Sequence, residues 1–217
     1  MTGVSVHGSE KTRPAASAYR RFLRRLPLTL VVAMTVWLML RPALDVAVPK
    51  FAQVLIRAFE YPRVTRLVPT EHWVEVRRSD FRSGSAIPTV PLTEIHFNTI
   101  ILLALHLATA RPFSRTQLER LLMAWCVLYL TQSLNLVFHV KTIYALALGE
   151  WSLQHYSPVT RNVFASLQYF TDLPGRFAFP FLIWMGFNWD RVTELVGIAD
   201  ESTDSSKKSS KGKGTTK

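Results

Sequence analysis

Polar side chains within a strongly apolar stretch are the first residues that could do chemistry. In residues 121–140, LLMAWCVLYLTQSLNLVFHV, the polar residues Tyr129, Gln132, Asn135 and His139 recur three or four residues apart. At about 100° per residue of an α-helix, they fall within an arc of roughly 120°. Polar groups in apolar surroundings need partners, so this face should point into a helix bundle. It predicts either hydrogen bonds between helices or a polar binding site.

Ionisable residues elsewhere could join this face in one groove. Arg41 and Asp45 are four residues apart, as are Asp172 and Arg176, so each pair is predicted to interact along one helix face. The sequence predicts a polar groove towards the outer membrane face, formed by Arg41, Asp45, His96, Asn98, Gln132, Asn135, His139, Arg161, Asp172 and Arg176.

The histidine spacing does not favour a metal or haem site. His96 and His106 are ten residues apart, which leaves their side chains roughly 80° apart around a helix. Two ligands in that arrangement do not share one ion without a third residue brought in by another helix. We therefore expect no metal and no cofactor.

The only cysteine, Cys126, lies between apolar neighbours in Ala-Trp-Cys-Val-Leu. One cysteine excludes a disulfide scaffold, a multi-cysteine zinc site and a CxxC redox motif. A nucleophilic thiol needs a nearby base and surroundings that favour the thiolate. We interpret Cys126 as a small hydrophobic residue. The sequence also lacks GxSxG, HExxH and a glycine-rich phosphate loop, so it gives no strong enzyme signal.

Composition indicates which elements must position these residues. The chain has 217 residues, 48% hydrophobic and 19% charged, with a formal net charge of +11. Disordered chains lack such apolar content. Basic clusters flank the apolar runs instead of forming a basic arm with interleaved aromatics, so we expect a lipid bilayer as partner and no nucleic acid.

The apolar runs predict an all-α integral membrane protein with about four transmembrane helices. Residues 121–140 alone would span about 30 Å, one hydrocarbon thickness. Pro174 and Pro180 should kink or break the last helix. Between the first two helices, HWVEVRR (72–78) alternates like a strand, which predicts a β-ribbon in a small extracytoplasmic segment. The predicted spans are 26–46, 95–110, 120–141 and 170–188, with the extracytoplasmic segment at 47–93 and a loop at 149–160.

Basic residues predict the orientation. The cytoplasmic side of a membrane protein is enriched in arginine and lysine. The basic arm 1–25, the connector 110–120 and the disordered charged tail 189–217 share one side if the membrane domain, 26–188, has an even number of spans. We therefore predict a bacterial inner-membrane protein with both termini in the cytoplasm. The basic residues of 47–93 oppose this sorting, and we interpret them as a binding surface.

Residues 94–149 resemble the exosortase and archaeosortase superfamily. The resemblance rests on Leu107-Ala108-Thr109 at the end of a span, the basic turn from Arg111 to Arg120, and Asn135 near the end of the next span. It implies membrane cysteine transpeptidases that recognise a C-terminal sorting signal and use Cys, Arg and His at the outer face.

Two departures separate this chain from the catalytic members. The cysteine of that family would lie at 94–98, where the sequence is Glu-Ile-His-Phe-Asn, and its arginine would follow Asn135, where 137–139 is Val-Phe-His. The chain is more similar to exosortase H-associated membrane proteins, which share the proline before the second span, here Val90-Pro91. Lys141-Thr142 followed by an aliphatic run is also similar.

The resemblance implies a non-enzymatic accessory protein of a protein-sorting system. It would bind an exosortase or its substrate through the outer segment 47–93 and the loop 149–176. One alternative is a divergent exosortase-like cysteine transpeptidase or protease. Another is a small transporter or channel subunit, which the polar face of residues 129–139 would serve.

Overall fold

The computed structural model describes residues 13–81, 84 and 86–196, and these are mostly helical. The elements in chain order are α1 (Arg13–Ala58), β1 (Thr65–Pro69), β2 (Trp73–Arg78), β3 (Thr89–Pro91), α2 (Leu92–His96), α3 (Asn98–Leu107), α4 (Arg115–Thr142), a π-helical turn (Ile143–Ala147), α5 (Glu150–His155), α6 (Pro158–Phe187) and α7 (Trp189–Val196).

The helices pass four times along one bundle, as α1, α2 with α3, α4 and α6. At one end, which we call the connector end, Arg25 Nη1 donates to Thr109 O at 3.4 Å and Arg120 pairs with Asp190 at 2.5 Å. The opposite end, which we call the sheet end, holds the strands and α5. The start of α1, the connector before α4 and α7 therefore lie together.

Among the described residues, two helical stretches are long and apolar enough to cross a membrane, Tyr19–Ala58 and Arg115–Ala147. They contain the predicted spans 26–46 and 120–141. The second predicted span corresponds to the shorter apolar stretch Leu92–Leu107, which α2 and α3 share with an interruption at Phe97.

Helix α6 is longer than the predicted last span and continues through its two internal prolines, Pro174 and Pro180, which were predicted to kink or break it. It begins at Pro158, where Ser157 caps it by accepting a hydrogen bond from Thr160 N at 3.2 Å. A proline at the first helical position fits because its missing N–H would have no helical acceptor. The expected loop at 149–160 is accordingly short, and α5 occupies much of it.

The predicted β-ribbon is a three-stranded antiparallel meander in the order β1-β2-β3. Alternation along β2 sets its two faces, because successive side chains of a strand point to opposite sides. Val74 and Val76 are fully buried, and Arg78 follows them on the same face, while Arg77 lies on the outer face. The inner face covers the sheet-end parts of α1 and α4.

Three apolar clusters hold the bundle together. At the sheet end, Val48 and Ile56 of α1 pack with the inner face of the sheet and with Val140 of α4. In the middle, α1 packs on α3 through Trp37 and Ile100. Near the connector end, Leu102 and Leu105 of α3, Leu128 of α4 and Trp184 of α6 form the third cluster.

The first residues of the predicted disordered tail, 189–217, are helical. Residues 189–196 form α7, in which Val192 packs on the third cluster and Asp190 pairs with Arg120. An apolar contact and an ion pair hold these residues as a helix despite their polar sequence. Likewise α1 begins at Arg13, inside the predicted arm 1–25. Residues 1–12 and 197–217 lie outside the described part of the chain.

Candidate functional site

A buried histidine–aspartate pair joins the first two helical passes. His96, at the end of α2, has Nε2 2.8 Å from Asp45 Oδ1 of α1. Trp37 Nε1, two turns before Asp45, lies 3.1 Å from His96 Nδ1. Both the imidazole and the carboxylate are buried. This contact fixes α2 against α1 just below the sheet.

These hydrogen bonds also determine which imidazole nitrogen holds the proton. The indole N–H of Trp37 can only donate, so His96 Nδ1 must accept. The proton of the neutral ring therefore sits on Nε2, which donates to Asp45. Both ring nitrogens of His96 are thus engaged.

Arg41 extends this pair towards the sheet. Its Nε lies 3.6 Å from Asp45 Oδ2, which confirms the predicted i, i+4 interaction. Its Nη2 also donates to Thr93 Oγ1 and contacts His72 Nδ1, both at 2.9 Å. One guanidinium therefore connects α1, the β1–β2 turn and the start of α2.

A second histidine–aspartate pair joins α4 to α6. His139 Nε2 lies 2.8 Å from Asp172 Oδ1, and Gln168 Nε2 lies 3.1 Å from His139 Nδ1. Asn135 Nδ2 donates to the same Asp172 oxygen at 3.1 Å. With Gln168 donating, the imidazole proton again lies on Nε2. This pair repeats the arrangement of the first, but with more solvent exposure.

The polar side chains on one face of α4 form hydrogen bonds with three different helices. Tyr129 donates to Ala47 O of α1 at 2.8 Å. Gln132 Nε2 donates to Asn98 Oδ1 at 2.7 Å and to Thr99 Oγ1 at 2.8 Å, both on α3. Asn135 and His139 reach α6. The predicted arc therefore points into the bundle and supplies hydrogen bonds between helices.

The structure separates the ten residues of the predicted groove into distinct sets. The pairing of Asp172 with Arg176 was wrong, because His139 binds Asp172 and Arg176 instead donates to Glu94 at 2.8 Å. Arg161 lies in the first turn of α6 with its Nε buried and without a hydrogen-bond partner in the described chain. The buried members of the groove are Asp45, His96, Asn98, Gln132 and Asn135.

Sequence reasoning missed two partners in these pairs, Trp37 and Gln168. A signal was present, because Trp37, Arg41 and Asp45 recur every four residues along α1. Gln168, Asp172 and Arg176 repeat the same spacing along α6. Residues four apart lie on one helix face, so each set presents one polar stripe to its neighbours.

A third cluster, centred on Arg78, joins the sheet to the π-helical turn. The Arg78 guanidinium lies 4.9 Å from the ring centroids of both Tyr144 and Trp151, which is cation–π distance. It also pairs with Asp80 at 2.7 Å and with Glu60 at 3.4 Å. The hydrogen bond between Arg78 and Asp80 raises the pKa of Arg78 and holds the pKa of Asp80 below its ordinary value.

Glu60 completes that cluster by holding the first strand. It accepts hydrogen bonds from Thr65 N at 3.0 Å and from Thr65 Oγ1 at 2.6 Å, and Thr65 Oγ1 contacts Tyr144 OH at 2.8 Å. The basic residues of the predicted outer segment thus divide into two groups. Arg57 and Arg78 make internal contacts, whereas Arg63, Arg66 and Arg77 are exposed, and Arg82 lies outside the described residues.

Cys126 is distant from both histidine–aspartate pairs. It is an exposed free thiol on α4, thirteen residues before His139, which is about 20 Å along a helix axis. The described residues include no group of three or more His, Cys, Asp and Glu side chains arranged to hold a metal ion. His106 contacts Pro112 O at 3.0 Å, which ties the end of α3 to the connector.

Comparison with known proteins gives one match. A family model described as exosortase H-associated membrane protein covers residues 16–191, most of the chain. No curated protein and no solved structure matches the chain. The matched range includes all four helical passes, the sheet and both histidine–aspartate pairs. The chain therefore belongs to the exosortase H-associated membrane protein family.

Proposed function

We propose that this chain is a non-enzymatic accessory protein of an exosortase-type protein-sorting system in a bacterial inner membrane. It binds the exosortase or its sorted substrate through the sheet end, which faces outwards. The observation that carries the proposal is the family match over residues 16–191, because the family is described as membrane proteins associated with exosortase H.

Four membrane spans and cytoplasmic termini are part of this proposal. The passes α1, α2 with α3, α4 and α6 alternate in direction, which brings the start of α1, the connector and α7 to one end. That end contains Arg25, Arg111 and Arg120, in keeping with the enrichment of basic residues on the cytoplasmic side. The pass of α2 with α3 is short for a span. We propose that its first turns, which make buried polar contacts, lie near the outer interface.

Topology can be measured by thiol labelling in a Cys126→Ala background. A cysteine at Ser79, in the exposed turn after β2, should react with a membrane-impermeant reagent from outside. Cysteines at Glu10 and Ser210 should react only after the membrane is opened, because both termini are inside. Labelling of position 79 only from the cytoplasmic side would contradict the four-span arrangement.

The geometry of the histidines supports a role without catalysis. A general base needs a ring nitrogen within reach of the proton that it takes. His96 and His139 have both nitrogens engaged with neighbouring side chains, and the only thiol is about 20 Å from His139 along α4. A cysteine transpeptidase would need these groups in contact.

Exposed apolar residues at the sheet end support a protein partner there. Phe59 and Tyr61, just beyond α1, are almost fully exposed, and Trp73 of β2 and Leu153 of α5 are about half exposed or more. They lie on the part of the chain that the proposal places outside the membrane, where lipid does not cover them. A contiguous exposed apolar patch marks a protein interaction site, and we infer that these residues form one.

Co-purification with the exosortase tests this role. Phe59→Ser should reduce the amount of exosortase retained by about tenfold, the loss typical of one buried aromatic anchor. Phe113→Ser is the matched control, since Phe113 is 76% exposed against 89% for Phe59 but lies at the connector end. Equal losses for both variants, or none, would contradict binding through the sheet end.

The same experiment separates the accessory role from the enzymatic alternative. Cys126→Ala should retain the exosortase and leave processing of a sorted substrate unchanged. Loss of processing in a folded Cys126→Ala protein would show that the chain itself is the transpeptidase.

A further inference from the structure

The register of the three strands decides which backbone groups point outwards at each edge of the sheet. Val76 N of β2 donates to Pro88 O at 2.8 Å, so the even-numbered residues at β3 exchange hydrogen bonds with β2. Successive residues of an antiparallel strand direct their N–H and C=O groups to opposite sides. The backbone groups of Ile87 and Thr89 therefore point away from β2, at the outer edge of the sheet.

The opposite edge, formed by β1, is closed by side chains from α1 and the residues just after it. Thr65 N donates to Glu60 Oε2 at 3.0 Å. Leu67 N donates to Gln53 Oε1 at 2.7 Å. The third outward position is Pro69, which has no N–H to donate. Covering side chains and proline are both means by which proteins prevent an edge strand from pairing with another chain.

The β3 edge has no such cover in the described part of the chain. Ile87 is 45% exposed, Thr89 is exposed, and no described residue accepts a hydrogen bond from the N–H of either. Pro91, the next outward position, has no N–H and ends the open stretch. Ile87 and Thr89 together thus offer two N–H donors and two C=O acceptors to an added strand, which is the way in which sheets bind extended peptides.

Contacts with α1 give the direction of the strands relative to the bundle. Leu67 of β1 contacts Gln53, whereas His72, after β1, contacts Arg41, so β1 runs back along α1 towards the membrane passes. The sheet is antiparallel, so β2 runs away from these passes and β3 returns. At its end, β3 leads directly into α2 at Leu92. The open edge therefore runs along the helix axes and ends where the second pass begins.

A second copy of this chain does not fit that edge. Two identical edges that pair as an antiparallel ladder are related by a two-fold axis perpendicular to the sheet. The inner face of the sheet packs against the sides of α1 and α4, through Val48 and Val140, so this axis lies across the helices. Rotation about it would turn the second copy upside down in the membrane. Copies inserted in one orientation therefore leave the edge free for a different chain.

We propose that the open edge of β3 binds an extended juxtamembrane segment of another membrane-anchored protein as a fourth strand. A strand that runs along the helix axes beside Thr89 reaches the membrane within a few residues, as β3 itself does before α2. Main-chain hydrogen bonds to Ile87 and Thr89 hold this segment. The inference rests on the proposed function, because the sheet end must face outwards, and it adds the conformation and the position of the segment that is bound.

Photo-crosslinking of the full-length protein in its native membrane tests the occupant. Benzoylphenylalanine at position 87 should crosslink to a membrane-anchored protein, and mass spectrometry should map the crosslink beside a transmembrane helix of that protein. The same probe at Arg66, which is exposed on β1 at the closed side of the sheet, is the control and should not give this product. Crosslinks from position 87 only to a second copy, or equal products from both positions, would overturn the proposal.

Two substitutions at Thr89 separate the backbone from the side chain. Thr89→Pro removes the outward N–H and should lower the crosslink yield from position 87 by about tenfold, the loss expected for one hydrogen bond. Thr89→Ala keeps that N–H and should crosslink like the wild type. Proline is tolerated on the free side of an edge strand, so the two variants should have the same melting temperature in detergent. Equal yields from the two variants would overturn the added strand.

Hydrogen exchange of the wild type keeps the test decisive if Thr89→Pro misfolds. In the free protein the amides of Ile87 and Thr89 should exchange fast, whereas those of Thr65 and Leu67 should exchange slowly because α1 and Glu60 supply their acceptors. In the complex, exchange at Ile87 and Thr89 should slow by about tenfold or more. Slow exchange at these two amides in the free protein, or fast exchange in the complex, would overturn the proposal.

The outcomes for the exosortase and for the strand are distinguishable. If exosortase retention depends on Phe59 but position 87 gives no crosslink, the proposed function stands and the added strand is overturned. If position 87 gives a crosslink that Thr89→Pro removes, while Phe59→Ser and Phe113→Ser retain the exosortase equally, the added strand is supported and the proposed binding of the exosortase is contradicted.

Discussion

Replacing Arg78 by methionine should lower the free energy of unfolding by about 3 kcal/mol, because removing one partner of a buried ion pair leaves the other charge uncompensated. The partner left behind is Glu60, whose side chain is largely buried. The substitution also removes the guanidinium from between Tyr144 and Trp151. Methionine fills similar space, so the loss would report the charge and not a cavity.

Arg77→Met is the matched control, since Arg77 directly precedes Arg78 in β2 but lies on the exposed face of the strand. Arg77→Met should lower the free energy of unfolding by less than about 1 kcal/mol, as for most exposed ion pairs. Thermal unfolding in mild detergent measures the stability, and hydrogen exchange in β2 shows whether the sheet opens first. Equal effects of the two substitutions would contradict the central position of Arg78.

The stability that Arg78 gives the protein through Asp80 depends on pH. Arg78 holds the pKa of Asp80 below its ordinary value of 3.8, so the stabilisation is complete above that value and is lost as the pH falls through the lower, folded pKa. The wild type should therefore lose this contribution in acid, whereas Arg78→Met should lack it at every pH.

Replacing Asp45 by alanine should lower the free energy of unfolding by about 3 kcal/mol, because it leaves the buried His96 N–H without an acceptor and Arg41 without its carboxylate. Asp172→Ala removes the corresponding acceptor of the second pair. It should lower the free energy of unfolding by only about 1 kcal/mol, since water can take the place of the lost carboxylate. The side-chain exposures that separate the two are 12% for Asp45 and 27% for Asp172.

Asp45→Asn distinguishes loss of charge from loss of the hydrogen bond. The amide oxygen can still accept from His96 Nε2, so this variant should retain more than half of the stability that Asp45→Ala loses. Unfolding in detergent, followed by tryptophan fluorescence, would measure both because Trp37 is part of the network. If Asp45→Ala and Asp172→Ala lowered the free energy of unfolding equally, the difference in burial would not distinguish the two pairs.

The sequence was sufficient to predict elements with a strong period. The apolar runs predicted α1 and α4, and the alternation in residues 72–78 predicted a strand. The polar arc of α4 was predicted to face the bundle because its spacing is local to one helix. Which helix each side chain meets could not be read from that spacing, and Gln132 and His139 in fact contact different helices.

Pairing between distant segments was the part that could not be predicted. Asp172 and Arg176 satisfy the i, i+4 rule, yet His139 and Glu94 compete successfully because they come from neighbouring helices in the folded bundle. Arg78 was counted among exposed basic residues, although alternation from Val74 and Val76 places it on the buried face. The carboxylates of Glu60 and Asp80 and the rings of Tyr144 and Trp151 make that buried position favourable for a cation.

The length of α1 links the bilayer mechanically to the sheet. A helix of 46 residues is about 70 Å long, more than twice a hydrocarbon thickness, and its far end is packed against the strands. A tilt of about 10° from the membrane normal would displace that end sideways by about 12 Å, while its height would change by only about 1 Å. Because helices adjust to bilayer thickness by tilting, the sideways position of the sheet relative to the start of α1 should vary with the lipid composition around α1.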